Sequence, residues 1–155
     1  MPSLPALDPT TVPEWLGSAY PELFRARLGT RSKRPIGSAF GLTHFGVNLT
    51  RLEPGGCSAL RHWHSQEDEF VYVLEGEVTL VTNGGEQALR AGMAAGFPAG
   101  VADGHHLINR TDRPALYLEV GDRTPGDEGS YPDDDLEAVL IEGRWQFTHK
   151  DGTPY

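Results

Sequence analysis

Short runs of β-branched and aromatic residues follow one another closely from about Thr43 to Val120. They include "THFGVNLTRL", "FVYVLEGEVTLVT", "HHLIN" and "ALYLEV". The turn signals "EG" at 75–76 and "NGG" at 83–85 are typical of hairpins, because glycine and asparagine tolerate the positive φ that such turns need. No helix-length pattern separates the runs, which argues against a parallel βαβ sheet and predicts a closed antiparallel barrel or a sandwich.

Length and charge limit the class of protein further. A chain of 155 residues fits one domain with a real core. Its net charge of −9 would repel phosphate backbones and anionic lipid, so we expect neither a nucleic acid nor a membrane as partner. The start of the chain has no basic segment followed by an apolar run, no stretch is long enough to span a bilayer, and Cys57 has no second cysteine to pair with. We therefore expect a cytoplasmic protein.

The flanks of the strand-rich region have a different composition. Residues 1–39 are rich in proline, with a short helical candidate at 21–28, and are interpreted as an N-terminal arm that packs on a barrel formed by residues 40–122. Residues 123–155 are interpreted as an acidic loop and a C-terminal hairpin. The stretch 121–137 carries seven acidic side chains against Arg123 alone, and we interpret it as solvated chain, with a lid or a second cation site as the alternatives.

The segment "RHWHSQEDEF" at 61–70 contains the strongest candidate site. His62 and His64 are two residues apart, so on a strand their side chains project from the same face and can converge on one metal ion. Glu69 is five residues beyond His64, an odd offset that would place it on the opposite face of an unbroken strand. The polar stretch "SQED" at 65–68 must therefore turn the chain for Glu69 to join the histidines.

The spacing around these residues resembles the first motif of the cupin superfamily. Counted from Gly56, five residues precede His62, one separates it from His64, four precede Glu69 and six precede Gly76. A second cupin motif is matched at positions 92, 98 and 100, but Asp103 stands where its histidine is expected. A two-residue insertion in the turn "VADG" restores the pattern, with three residues between His105 and Asn109. Adjacent strand residues face opposite ways, so His105 and Leu107 are predicted to face inward, and His106 outward.

The resemblance implies an all-β, single-domain cupin, a double-stranded β-helix with a jelly-roll-like barrel. It implies one divalent transition metal inside the barrel, held by His62, His64, Glu69 and His105, and a frequent homodimer. Imidazole and carboxylate ligands without thiolate suit an ion that retains exchangeable positions. Mn, Fe, Ni, Co, Cu and Zn all remain open.

The predicted function is that of a metal-dependent enzyme acting on a small polar metabolite. The sequence segments "HHLIN" and "YPDDDL" resemble those of cupins similar to sugar-phosphate isomerases. A cupin dioxygenase and a non-catalytic sensor or carrier are the alternatives, since this barrel hosts many functions. The sequence identifies no catalytic base and no substrate-binding residue. Arginines that could meet a phosphate are each interpreted as solvated surface charges: Arg51, Arg61, Arg110 and Arg123.

Overall fold

The structure is a computed structural model that describes residues 5–155. The twelve strands run β1 Arg31–Arg34, β2 Phe45–Leu52, β3 Trp63–His64, β4 Glu69–Glu75, β5 Glu77–Thr82, β6 Gly85–Arg90, β7 Ala94–Phe97, β8 His106–Ile108, β9 Ala115–Asp122, β10 Glu128–Ser130, β11 Glu137–Ile141 and β12 Arg144–Thr148. The helical segments are α1 Glu22–Arg25, α2 Ile36–Ala39 and the 3-10 turns Pro9–Thr11 and Ala26–Leu28. The predicted all-β fold is confirmed.

The strands form three antiparallel sheets. The largest has the order β1-β2-β9-β4-β7, the second β12-β11-β10-β3 and the third β6-β5-β8. Inward-facing side chains of the first and third sheets form one core, which includes Leu52, Val73, Val78, Leu107 and Tyr117. Burial of these side chains, at about 25 cal/mol per Å² of apolar surface, holds the two sheets face to face around an interior.

A second core ties the N-terminal segment to the C-terminal hairpin. Tyr20, Phe24 and Leu28 pack with Leu136 and Ala138 among others. The helical candidate at 21–28 forms α1 and the 3-10 turn that follows it, and this pair supplies Phe24 and Leu28. The segment interpreted as an arm also contributes a strand, because β1 pairs with β2 along its whole length. The three-part division at residues 39 and 122 stays a prediction.

The two turn signals have different outcomes. "NGG" joins β5 to β6 in a hairpin, as its composition predicts. "EG" does not close a hairpin, because β4 pairs with β7 and β9 whereas β5 pairs with β6 and β8. Gly76, at φ 75°, instead carries the chain from one sheet to another, and a Cβ there would lie 2.7 Å from the carbonyl oxygen of Pro114. The positive φ was recognisable from the sequence, but the long-range pairing was not.

Within residues 5–155, no helix is long and apolar enough to cross a bilayer.

Candidate metal centre

The structure brings together all four residues predicted as metal ligands. The Nε2 atoms of His62, His64 and His105 face the carboxylate of Glu69, at 3.7 Å from Oε2, 3.3 Å from Oε1 and 2.6 Å from Oε2 respectively. Suitable ligand atoms of His62, Glu69 and His105 lie within 4.8 Å of one another. Three donors of the types that divalent transition metals prefer therefore lie within reach of one ion, and His64 Nε2 approaches the same carboxylate from its other oxygen.

Local chain geometry explains the convergence of the histidines. His62 and His105 form an isolated antiparallel bridge, in which each backbone N–H donates to the other residue's carbonyl oxygen, at 3.2 and 2.9 Å. His64 ends the two-residue strand β3 and pairs with Gly129 of β10. The side chains of His62 and His64 then project to one side, with ring centroids 5.0 Å apart.

The turn at 65–68 delivers Glu69, and a residue distant in sequence shapes that turn. Asp127 Oδ1 accepts hydrogen bonds from the backbone N–H groups of Gln66 and Glu67, at 2.8 and 3.2 Å. Beyond the turn, Glu69 opens β4 and pairs with Phe97 and Gly121. The chain thereby reverses the face on which Glu69 would lie if the strand ran unbroken.

His105, and not His106, lies beside Glu69. Phe97 stacks on the His105 ring at 3.6 Å between centroids and 4° between planes, which holds its orientation. Leu107 belongs to the core, whereas the His106 ring contacts the Ala59 carbonyl oxygen at 3.0 Å. Asp103 faces the hairpin turn of β5 and β6, where it accepts a hydrogen bond from Asn83 N at 2.7 Å.

The opposite edges of two imidazole rings are held by acceptors. His62 Nδ1 lies 2.7 Å from the Leu60 carbonyl oxygen, and His64 Nδ1 lies 2.5 Å from Asp127 Oδ2. An Nδ1 that donates its proton leaves the lone pair on Nε2, the atom that faces Glu69. Acceptors behind ligand histidines are a recurring feature of protein metal sites, because they set the tautomer and the ring orientation.

Burial and charge act against each other on the titrating groups. Burial would raise the pKa of Glu69, but the close approach of the His105, His62 and His64 rings holds that pKa well below its usual range. Burial would lower the pKa of His64, yet the contacts with Glu69 and Asp127 raise it to about 9. Burial lowers the pKa of His105, although Glu69 opposes this. Glu69 therefore stays ionised, and the His64 ring, when protonated, offsets its charge.

Two buried atoms of the cluster have no hydrogen-bond partner among the described residues. They are Glu69 Oε2 and His105 Nδ1. An unsatisfied buried carboxylate oxygen is costly, because burial removes it from water. A divalent ion bound between the three Nε2 atoms and Glu69 would satisfy that oxygen, so the residues present fit such an ion.

Comparison with known proteins identifies the family. The cupin domain family matches residues 48–121. A crystal structure from Silicibacter pomeroyi DSS-3, described as a sugar phosphate isomerase from the cupin superfamily, is 46% identical, with a TM-score of 0.93 over 97% of this chain and 96% of that one. This chain belongs to the cupin superfamily.

Other solved structures resemble this cupin less closely. A structure from Acidithiobacillus ferrooxidans ATCC 23270 is 30% identical, with a TM-score of 0.74 over 82% of this chain and 81% of that one. One from Thermus thermophilus is also 30% identical, with a TM-score of 0.57 over 79% of this chain and 100% of that one. No curated protein matches the chain.

The four candidate metal ligands of this cupin, His62, His64, Glu69 and His105, form a cluster, called the metal cluster below, that opens into a cavity of about 710 Å³. This volume is ample for a small metabolite.

Sequence reasoning missed a polar group on the inner face of the largest sheet. There Glu119 Oε1 accepts hydrogen bonds from Lys33 Nζ at 2.5 Å and from Asn48 Nδ2 at 2.9 Å. Glu119 pairs with Val71, two residues along β4 from Glu69, so the two carboxylates are diagonal neighbours on one face. A detectable signal was present: alternation along "ALYLEV" turns Glu119 to the same side as the buried Ala115 and Tyr117.

The arginines predicted as surface charges behave differently from one another. Arg51 and Arg110 form exposed ion pairs. For Arg61 the interpretation is wrong: only 14% of its side chain is exposed, and it binds Asp133 through two nitrogens and the Gly104 carbonyl oxygen through a third contact. Arg123 is exposed and lines the mouth of the cavity.

The interpretation of 121–137 as a solvated loop is wrong for part of the segment, which contains β10 and the buried residues Asp127, Tyr131 and Leu136. Asp127 is 0% exposed and contacts the metal cluster through His64. A second group of possible ligands forms there, made of His64, Glu67 and Asp127. Because the His64–Asp127 hydrogen bond already occupies the shared Nδ1 atom, we assign this group to support of the first cluster. Burial and the nearby charge of Asp127 raise the pKa of Glu67 to about 7, although the Thr124 N–H and His64 oppose the shift.

Proposed function

We propose that this cupin is a metal-dependent enzyme that acts on a small polar metabolite, with isomerisation of a sugar phosphate or a similar hydroxycarbonyl compound as its reaction. The observation that carries the proposal is the set of three imidazole Nε2 atoms around one carboxylate, open to a cavity of about 710 Å³. The similarity at 46% identity to a protein described as a sugar phosphate isomerase supports the reaction class.

His62, His64, Glu69 and His105 would hold one divalent transition metal. When bound, the ion would supply Lewis-acid polarisation of a substrate oxygen. With the ion bound, the Leu60 carbonyl oxygen and Asp127 would accept the Nδ1 protons of His62 and His64, so that both Nε2 atoms could donate lone pairs to the metal. This part of the structure has the role of presenting ligands in one fixed orientation.

An isomerase also needs a group that moves a proton beside the polarised oxygen. Glu119 is suited to this role, because it lines the same cavity and is a diagonal neighbour of Glu69. Lys33 and Asn48 both bind its Oε1, which orients the carboxylate and leaves Oε2 for a substrate. Gly121 and Gly46, opposite each other beside Glu69, have no side chains to obstruct a ligand.

Metal analysis followed by a substrate screen tests the proposal. The protein is loaded separately with Mn, Fe, Ni, Co, Cu and Zn and incubated with pooled sugar phosphates, hydroxy acids and catechols, with and without oxygen. We expect one metal equivalent and a product of unchanged mass. Both should be lost in Glu69→Ala and kept in Glu86→Ala, which changes an exposed glutamate on β6.

Other outcomes would overturn parts of the proposal. Less than a tenth of an equivalent of every metal would remove the metal site. Oxygen-dependent products would make the protein a dioxygenase, and tight retention of an unchanged compound would make it a sensor or carrier.

We also propose that the protein is a homodimer through the outer face of its largest sheet. Apolar side chains cover the adjoining strands β2, β9 and β4 there, including the exposed Phe45, Phe70, Tyr72 and Leu74. Exposed apolar patches of this kind mark interaction sites. A second copy of the chain presents the same patch, and a two-fold symmetric dimer pairs the patch with itself. Sedimentation of the wild type should give a dimer and that of Tyr72→Glu a monomer, whereas a monomeric wild type would contradict the proposal.

A further inference from the structure

Arg31 is a buried cation without a carboxylate partner in residues 5–155. It is 9% exposed, and none of the ion pairs in this part of the chain includes it. Its Nη1 donates to the carbonyl oxygen of Ser58, and the side chain lines the cavity that contains the metal cluster. A buried guanidinium is unfavourable unless an anion or several acceptors compensate for its lost hydration.

The position of Ser58 shows where the guanidinium lies. Arg31 starts on β1 and reaches the segment beside β8, where Ser58 N donates to the Leu107 carbonyl oxygen at 2.8 Å and Ser58 Oγ accepts from Leu107 N at 2.9 Å. Leu107 is two residues beyond His105, which is roughly 7 Å along a strand. The contact of Arg31 with Ser58 therefore lies about two residues along β8 from the His62–His105 bridge.

We infer that Arg31 binds the phosphate group of a small phosphorylated metabolite whose other end reaches the metal cluster. The inference rests on the proposed function and assigns the residue that recognises the anionic part of the substrate. A guanidinium presents several N–H donors in a planar fork that suits phosphate, and here one nitrogen is fixed by Ser58 while the others remain for a ligand. The spacing of roughly 7 Å between the Leu107 and His105 backbone positions is spanned by a chain of a few carbon atoms.

The other cations around the cavity are less suited to this role. Lys33 is already paired with Glu119, and Arg123 lies exposed at the mouth. Tyr20 lies in the same wall as Arg31, and burial raises its pKa to about 12, so its hydroxyl stays protonated and can donate a hydrogen bond. Because the chain carries a net charge of −9, its overall field opposes anion binding and a specific cation is required.

The test measures inorganic phosphate binding to the full-length, metal-free protein by calorimetry. Acetate binding is measured in parallel, to compare a carboxylate with phosphate. We expect Arg31→Met to weaken phosphate binding by roughly tenfold to a hundredfold, since a charge-assisted contact is lost. Arg31→Lys keeps the charge but not the fork, so its effect should be smaller. Arg110→Met, which removes an exposed arginine, should leave phosphate binding unchanged.

A second measurement does not depend on the folding of Arg31→Met. In the wild type, the NMR signal of the Arg31 Nε–H, assigned by its loss in Arg31→Lys, should shift on addition of phosphate. An unmoved signal, equal phosphate binding by wild type and Arg31 variants, or acetate binding as tight as phosphate binding would overturn the inference.

Metal titration of the same samples separates this inference from the proposed function. Metal binding without Arg31-dependent phosphate binding would refute the inference and leave the metal proposal standing. Arg31-dependent phosphate binding without metal uptake would support the anion site and refute the metal proposal.

Discussion

Asp127→Asn tests whether a residue of the acidic segment prepares the metal cluster. The substitution keeps the side-chain volume but replaces one acceptor oxygen with an amide NH₂ group. In the wild type, Oδ1 accepts from Gln66 N and Glu67 N, while Oδ2 accepts from His64 Nδ1. The single oxygen of asparagine cannot serve both sides, and the two backbone donors on the first side cannot become acceptors.

The asparagine oxygen should therefore stay with the backbone N–H groups, and its NH₂ group should face His64. His64 Nδ1 must then act as the acceptor, which places the ring proton on Nε2, the atom that faces Glu69. Loss of such an orienting partner costs about 10- to 100-fold in metal affinity. This corresponds to about 1.4–2.7 kcal/mol.

The metal-free protein should also become less stable. Asp127 is 0% exposed, and loss of a hydrogen bond from a charged partner at such a position costs about 1.5–3 kcal/mol. Asp135→Asn is a matched control: Asp135 also accepts from a histidine Nδ1 and a backbone N–H, at 2.8 Å each, but 62% of its side chain is exposed. We expect a much smaller loss of stability there, because solvent screens the exposed pair, and no change in metal affinity.

Competition titration with a chelator gives the metal affinities, and urea unfolding gives the stabilities. NMR of the imidazole nitrogens would report the His64 tautomer directly. If Asp127→Asn binds metal within threefold of the wild type, Asp127 does not act on the metal ligands through His64, whatever the change in stability.

Three further predictions test the remaining assignments. His105→Ala should lower metal affinity at least tenfold and His106→Ala less than threefold, and the reverse order would show that the wrong histidine has been placed in the site. Gly76→Ala should destabilise the protein by at least about 2 kcal/mol more than Gly41→Ala. Both glycines have φ 75°, but only at Gly76 would the new Cβ meet a backbone oxygen, at 2.7 Å. Equal urea midpoints for the two variants would refute this. Asn109→Leu should cost about 2–4 kcal/mol, because the fully buried amide donates to two carbonyl oxygens that would lose their partner, and a near-wild-type melting temperature would contradict this role.

The part of the site that could be predicted from sequence depends on local geometry. The shared face of His62 and His64 follows from the period of a strand, and the odd offset to Glu69 required a turn that the structure contains. His105 was located through its distance from Asn109. That spacing is meaningful because the Asn109 amide joins the end of β8 to the end of β2 and to the loop before β9, while the additional residues around Asp103 bulge toward a neighbouring hairpin.

The supporting residues could not be predicted in the same way, because their roles depend on contacts between distant parts of the chain. Arg31 is 27 residues from the Ser58 carbonyl oxygen that it contacts, and it lies in a segment that composition alone describes as an arm. Its burial depends on the pairing of β1 with β2, which no local pattern indicates.

Asp127 shows why a charged segment cannot be interpreted from its average composition. Seven acidic side chains between 121 and 137 indicate solvated chain, and Asp133 and Asp135 are indeed exposed. Pairing of β10 with β3 sets Gly129 opposite His64, and this places Asp127, just before β10, behind the imidazole ring. A buried carboxylate at that point is tolerated because it accepts hydrogen bonds from an imidazole and two backbone N–H groups. The segment therefore contains both solvated aspartates and one buried aspartate that orients the candidate metal ligand His64, and only the strand register distinguishes them.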